Sequence, residues 1–221
     1  MIKTSGTSTS RWREARRRSA REAIVEAAWA LVAEEGLAGL SLRDLARRAG
    51  ITTPTVYAYF GSKNAIYDAM FGQAAAELAD TMAAPYDGQD PRELLVAGVQ
   101  RFFDFCTSNL PRYQLLFQRT LPGFDPSPRS YAPAVRALAG AREALARNGV
   151  TEARHLDLWT ALITGLVSQQ VSNDPGGDRW TRLIEESAGM FLGHCQAAEP
   201  QAGPSPATLN PRGGPDDHDN G

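Results

Sequence analysis

The sequence predicts an all-α protein: three short N-terminal helices, then a longer helical body. Three observations predict it. Apolar residues recur every three or four positions, as in Ile66, Met70, Ala74 and Leu78, which is the period of one helix face. No stretch alternates apolar and polar residues as a half-buried strand would. Glycine, proline and Ser/Thr/Asp punctuation divides the chain at helical lengths.

The elements follow in order. Residues 1–10 are rich in Ser and Thr and are expected to be disordered. Six arginines, Arg11, Arg13, Arg16, Arg17, Arg18 and Arg21, then precede or open the first helix, so residues 1–19 read as a basic flexible arm. Ile24, Ala27, Ala28, Leu31 and Val32 form that helix's inward face, and Gly36 ends it. Ser41, with Asp44 three residues on, makes a capping pattern for helix two. Leu42, Leu45, Ala46 and Ala49 are its apolar stripe, with Arg43, Arg47 and Arg48 off it. Gly50 supplies a left-handed C-terminal residue. Thr53 is the expected cap of helix three and Pro54 suits its first turn. Val56, Tyr57 and Phe60 read as its inner face; Thr52, Thr53, Thr55 and Tyr59 are left to point outward.

Ser62 caps a long fourth helix ending near residue 83, followed by a loop over 85–91. Residues 92–109 make a fifth helix with Leu95, Val99, Phe102, Phe103 and Cys106 inside. A short aromatic-rich helix covers 112–121. Residues 122–133 hold four prolines and a glycine, and are expected to be irregular. Helices follow over 134–147, from 151 or 152 to 172, and over 179–195. The tail, 198–221, is rich in Pro, Gly and Asp and is expected to be disordered. The domains expected are the arm 1–19, a head 20–66, a body 67–197 and the tail.

Charge is spread unevenly. Net charge is −2, yet residues 1–63 carry 11 Lys and Arg against 6 Asp and Glu. A basic N-terminal segment on an acidic body is a common footprint of a nucleic-acid-binding head on a separate sensor or partner domain. No stretch approaches the roughly 20 apolar residues of a membrane span. No signal peptide is expected, and two cysteines make no disulfide framework, so a cytoplasmic protein with reduced thiols is expected. Enzyme chemistry finds little support. The histidines are His155, His194 and His218, and no phosphate loop, nucleophile elbow or H-E-x-x-H is present. A Cys106–His155 nucleophile pair is the one candidate, and a cysteine among phenylalanines is far more often core. No metal and no cofactor is expected.

A helix, a glycine turn and a second helix crossing it form the helix-turn-helix plan. The alternative is an ordinary helical hairpin inside a bundle. The outer face of the second helix is hydroxyls and a tyrosine, which suits a major groove. The stretch AGITTPTVYAYFGSKNAIYDAMF resembles the DNA-binding signature of the TetR/AcrR transcriptional regulators. Tyr57, Tyr59, Phe60 and Lys63 match that signature, and Arg43 matches an arginine that often reads a base. Pro54 stands where the family usually has a small residue or glycine. The resemblance covers roughly residues 20–71. The segment RYQLLFQRTLPGFDPSPRSYAPA is similar to one found in actinobacterial members. The resemblance implies a homeodomain-like head and a homodimer on successive major grooves of a palindromic operator in double-stranded DNA. It also implies a small-molecule effector bound in the body, and most often repression. Arg16, Arg17, Arg43, Thr52, Thr53, Pro54, Thr55, Tyr57, Tyr59 and Lys63 are then the expected DNA contacts. The arm would enter a minor groove; a merely solvated helix end is the alternative. A second overall reading is a non-specific architectural DNA-binding protein.

Phe102, Phe105, Cys106, Tyr113, Leu116, Phe117, Phe124 and Trp159 are candidates to line a cavity for a small apolar effector, or else to fill the core. Gln114, Gln118, Arg119 and Gln169 are candidates to orient it. In the helix over 152–172, Ala161, Gly165, Ser168 and Ser172 make one stripe of small residues. A glycine inside a helix costs about 1 kcal/mol relative to alanine, and close approach of another helix is one reason to keep it. With Leu183, Ser187 and Met190 of the last helix, this stripe is the candidate dimer interface, in the four-helix arrangement that the resemblance implies. The alternative is packing on the chain's own fourth or fifth helix.

Overall fold

The computed structural model describes residues 6–198, and among them every regular element is a helix. The order is α1 (Gly6–Glu35), α2 (Leu42–Arg48), α3 (Thr53–Tyr59), α4 (Lys63–Ala83), α5 (Pro91–Ser108), α6 (Leu110–Phe117), α7 (Pro128–Arg147), α8 (Ala153–Asn173) and α9 (Ile184–Ala198), with one 3-10 turn at Thr181–Leu183. Two apolar clusters organise them. Ile24, Val32, Leu45, Val56, Phe60 and Ile66 centre the head core, and Val99, Phe103, Tyr113, Trp159, Val167 and Phe191 the body core. Helix α4 serves both. Its residues from Ile66 to Ala75 pack into the head and Leu78 into the body. One rigid helix therefore joins the two cores.

Local chemistry sets most of the boundaries. Ser62, Asp90 and Asn109 each accept backbone amides at the starts of α4, α5 and α6, satisfying donors that a helix leaves unpaired. Gly36, Gly50 and Gly149 take positive φ after α1, α2 and α7. Helix α6, expected over 112–121, ends instead at Phe117, and three larger departures from expectation have other causes. First, α1 is already helical at Gly6, where a disordered segment and a flexible arm were expected. Ala, Arg and Glu are good helix formers, so the helix propagates beyond the last residue that packs. Residues 1–5 and 199–221 lie outside the described residues, so the tail expectation does too.

Second, α7 begins at Pro128 and carries Pro133 inside it, where an irregular segment was expected. Pro128 falls in the first turn, where its missing amide costs nothing. Ser127 caps the turn, its Oγ accepting the Ser130 amide at 3.3 Å. Asp68 on α4 then accepts from the Ser127 amide (2.6 Å), Ser127 Oγ (3.0 Å) and Ser130 Oγ (2.9 Å). A Cβ on Gly72 would lie 3.2 Å from Ser130 Oγ, so that glycine lets α7 lie close along α4. Packing of this kind offsets the one bond that Pro133 removes. Third, a 3-10 turn precedes α9, which starts at Ile184 rather than near 179. Gln170 of α8 accepts the Trp180 and Thr181 amides (3.0 and 3.3 Å) and so holds that turn.

Candidate nucleic-acid interface and helical body

The head presents α2, a tight turn and α3 as one unit. Ser41 Oγ accepts the Asp44 amide at 3.2 Å, starting α2 as its sequence pattern predicts. Leu45 and Ala46 are buried under it. Gly50, at φ +67°, closes the helix, with its amide on the Arg47 carbonyl and the Ile51 amide on the Ala46 carbonyl. The cap of α3 is Thr52, not Thr53. Its Oγ1 accepts the Thr55 amide at 3.3 Å and lies 2.8 Å from Thr55 Oγ1. Thr53 is half-buried.

The two tyrosines exchange their expected places. Tyr57 is 52% exposed, whereas Tyr59 packs against the head core. The reason is angular. From the buried Val56, Phe60 and Tyr59 sit at i+4 and i+3, on the same face, whereas Tyr57 at i+1 is turned about 100° away. The outward face of α3 is thus Thr52, Pro54, Tyr57 and Ala58.

Charge around this face is sorted by pairing. Arg47 bonds Asp44 at 3.0 Å and Arg48 bonds Glu34 with both nitrogens, at 2.8 and 2.5 Å. That pairing holds the Glu34 carboxyl below, and the Arg48 guanidinium above, its usual range. Arg43 is exposed and has no ion pair among the described residues. Lys63 Nζ lies 5.5 Å from the Tyr67 ring. Arg16 and Arg17 stand on helical backbone and are exposed. The residue that sequence reasoning gave no role is Arg21. It donates to the Tyr59 carbonyl at the end of α3, and its guanidinium lies 4.0 Å over the Phe60 ring. A cation there favours the negative end of a helix. Burial lowers its pKa, with the nearby charges of Arg17 and Arg129 adding to the effect.

The body aromatics do not form one wall. Phe105, Cys106, Tyr113 and Trp159 are buried, Phe102 and Leu116 are half-buried, and Phe117 is 37% exposed. Phe117 meets Phe102 edge-on at 5.4 Å and Tyr113 at 5.7 Å. Trp159 is set apart against Phe191 at 4.9 Å. Leu116 touches both cores, and Phe124 packs on the head side, 5.8 Å from Tyr67. Burial pushes the Cys106 thiol far up, which removes it as a nucleophile at neutral pH. Of the polar candidates, Arg119 pairs with Asp125 at the surface and Gln169 accepts from Asn173; both point outward. Gln114 and Gln118 are half-buried. The polar group at the centre of the body's head-facing side is Arg112, which no motif marked. It bonds Glu77 of α4 at 2.7 Å and lies 5.8 Å from both Trp29 of α1 and Phe105 of α5. Its buried Nε has no hydrogen-bond partner.

The small stripe of α8 faces away from the chain. Ala161 and Gly165 are exposed, Ser168 is half-buried, and a Cβ on Gly165 would meet nothing within 4 Å. Leu158 beside it is 50% exposed, and Met190 of α9 is 64% exposed. Leu183 is half-buried. Ser187 is buried inside the chain instead. It sits three residues after Ile184, on the face that buries Ile184, Ala188 and Phe191.

Comparison with known proteins bears on the head first. Residues 24–70 match the family model for bacterial regulatory proteins of the tetR family. Over those residues the head is of the TetR type. Among relatives, the chain is 30% identical over 136 residues to the HTH-type transcriptional regulator Rv1816 of Mycobacterium tuberculosis, a match spanning 58% of each chain. It thus covers about three fifths of that relative's length. It is 26% identical to the Escherichia coli tetracycline repressor protein class A from transposon 1721, over 83% of this chain and 82% of that one. The crystal structure of the transcriptional regulator FadR from Bacillus subtilis in complex with stearoyl-CoA shares the fold. Its TM-score is 0.57 at 18% identity, covering 77% of this chain and 97% of that one. The family and these relatives are regulators, not enzymes. Among the described residues no helix is long and apolar enough to cross a membrane.

Proposed function

We propose that this TetR-family protein is a DNA-binding transcriptional regulator, a repressor, that binds a palindromic operator as a homodimer and is released by a small, largely apolar effector. The observation that carries the DNA-binding reading is the α2–Gly50–α3 unit. It presents an exposed Arg43 on α2 and an exposed Thr52, Pro54 and Tyr57 at α3, inside the span that matches the family model. An arginine fork bonds guanine bidentately, and the aromatic and small residues suit base edges and backbone. The second helix of such a unit docks in the major groove, and two heads one helical turn apart read two half-sites. The exposed apolar face of α8 and α9 supports the dimer: the same patch meeting itself would cover Leu158, Ala161, Gly165 and Met190. The effector reading is supported by the aromatic residues of the body and by the stearoyl-CoA held by FadR. Repression is supported by the match with the tetracycline repressor.

Sequencing duplexes selected from a random pool by the purified protein tests the reading. A two-fold symmetric consensus is the expected result. Binding with a steep salt slope but no enriched sequence would select the non-specific architectural alternative.

A further inference from the structure

Residues 10–19 of α1 are all exposed, and the first half-buried position is Ala20. This exposed part of the helix runs about 15 Å, at 1.5 Å per residue, beside the end of α3. It carries its own charge pattern. Arg13, Arg16 and Arg17 share a cleft of about 410 Å³ with Trp12 and with Ala58 and Tyr59 of α3, and no carboxylate lines it. The Arg16 guanidinium lies 5.4 Å from the ring of Trp12, which is 61% exposed. One turn further on, Arg21 ties the helix to the last carbonyl of α3. Ala58 belongs both to the outward face of α3 and to this cleft, so the arginine face continues the surface that reads DNA. A minor groove about 6 Å wide does not admit a helix 10–12 Å across. The helical form of this segment thus excludes the arm-in-groove contact that its composition suggests.

We propose that the exposed turns of α1 form a rigid phosphate-tracking ridge. Arg13, Arg16 and Arg17 take the sugar–phosphate backbone of the duplex beside the groove occupied by α3, with Trp12 packed along the backbone. The inference rests on the DNA-binding reading. Such a ridge adds affinity and fixes the approach of the head without reading sequence. Because it is already helical and anchored through Arg21, binding does not first have to order it. A basic helix with a tryptophan also suits an anionic membrane surface, but the shared cleft with α3 favours the nucleic acid.

The test uses the full-length protein and a duplex carrying its selected sequence, with affinity measured against salt concentration. For Arg13→Gln, Arg16→Gln and Arg17→Gln combined, the slope of log affinity against log salt should fall by about 2–3 per head, with an unchanged consensus. Ala15→Pro keeps every charge but breaks the helix; it should weaken binding about tenfold at low salt while thermal melting of the head is retained. An Ala15→Pro protein that binds as the wild type does would overturn the ridge in favour of a flexible arm. A triple variant with an unchanged slope would overturn it outright, as would loss of binding to anionic vesicles with DNA binding intact. A wild-type protein that selects no duplex at all would sink the DNA-binding reading and the ridge together. That result is distinct from wild type and variants binding alike.

Discussion

Arg43 differs from its neighbours on α2 in having no carboxylate to hold it. Arg47 and Arg48 are exposed too, but their forks are already spent on Asp44 and Glu34. A free fork at the start of α2 is available for a base. Arg43→Ala is expected to cost about 1–3 kcal/mol on the selected site and to relax preference there. Equal losses on selected and random duplexes would refute base reading. Tyr67 gives a second prediction at this scale. Its hydroxyl donates to the Leu37 carbonyl inside the head, and burial raises its pKa from 10.0 to about 12. From pH 10 to about 12 the unfolded chain releases this proton and the folded chain does not, so stability falls as pH rises through that window; below pH 10 the contribution is constant. Tyr67→Phe should therefore lower Tm at neutral pH, through the lost bond, yet show a shallower fall in Tm above pH 10 than the wild type. Parallel falls would show that Tyr67 does not carry this dependence.

Helices α8 and α9 illustrate what an element can offer that its own chain does not use. Gly165 sits in open space, so the cost of a helical glycine is not repaid by any intramolecular contact. Close approach of a second chain would repay it. Gly165→Leu should leave helix content nearly unchanged and raise the Tm of the protomer slightly, because leucine favours the helix and the added side chain meets nothing in the chain itself. By the same reasoning it should wedge a dimer apart, and one head alone buries too little DNA contact for operator affinity. Light scattering at micromolar concentration checks it; a variant that remains dimeric and binds operator would place the interface elsewhere. Helix α7 shows the converse. Its own sequence argues against a helix at Pro128–Pro133, and the helix is held instead by Asp68 on α4 and by the glycine that admits it.

At the scale of the molecule, head and body are joined by α4, by the contact of Asp68 with Ser127 and Ser130 at the start of α7, and by a polar junction at Arg112. Arg112 of α6 bonds Glu77 of α4 and faces Trp29 of α1. Trp29 Nε1 in turn donates to Gln73, which donates to Glu26. This chain of contacts runs from the body across α4 to α1. A ligand that favours one placement of α6 would bias the head through it only by its differential affinity for the two placements. Arg112→Met is expected to keep operator affinity within a few-fold while reducing effector-induced release, for which couplings of about 1–3 kcal/mol are usual. Anisotropy titrations with and without an effector found by thermal shift decide it. An unchanged ratio of affinities would show that coupling runs by another route.

The α2–turn–α3 unit, the start of α4 and the boundaries of α5 and α8 could be read from the chain alone because their causes are local. A cap, a left-handed glycine and a 3.6-residue stripe all act within about four residues. The signature around Tyr57–Lys63 identified the family on the same local ground. The features that were misread depend on partners far along the chain. Ser127 is bonded by Asp68, 59 residues away, and that contact helps to hold a helix that contains Pro128 and Pro133. Tyr59 turns inward because Val56 and Phe60 set which side of a seven-residue helix meets the core. Ser187 is buried because α9 starts at Ile184, a boundary held by Gln170 from α8. Phe124 and Trp159 go to different neighbours although both are aromatic. Periodicity says that a face is apolar; which face it meets depends on how the helices are stacked, and that is a property of the assembled fold.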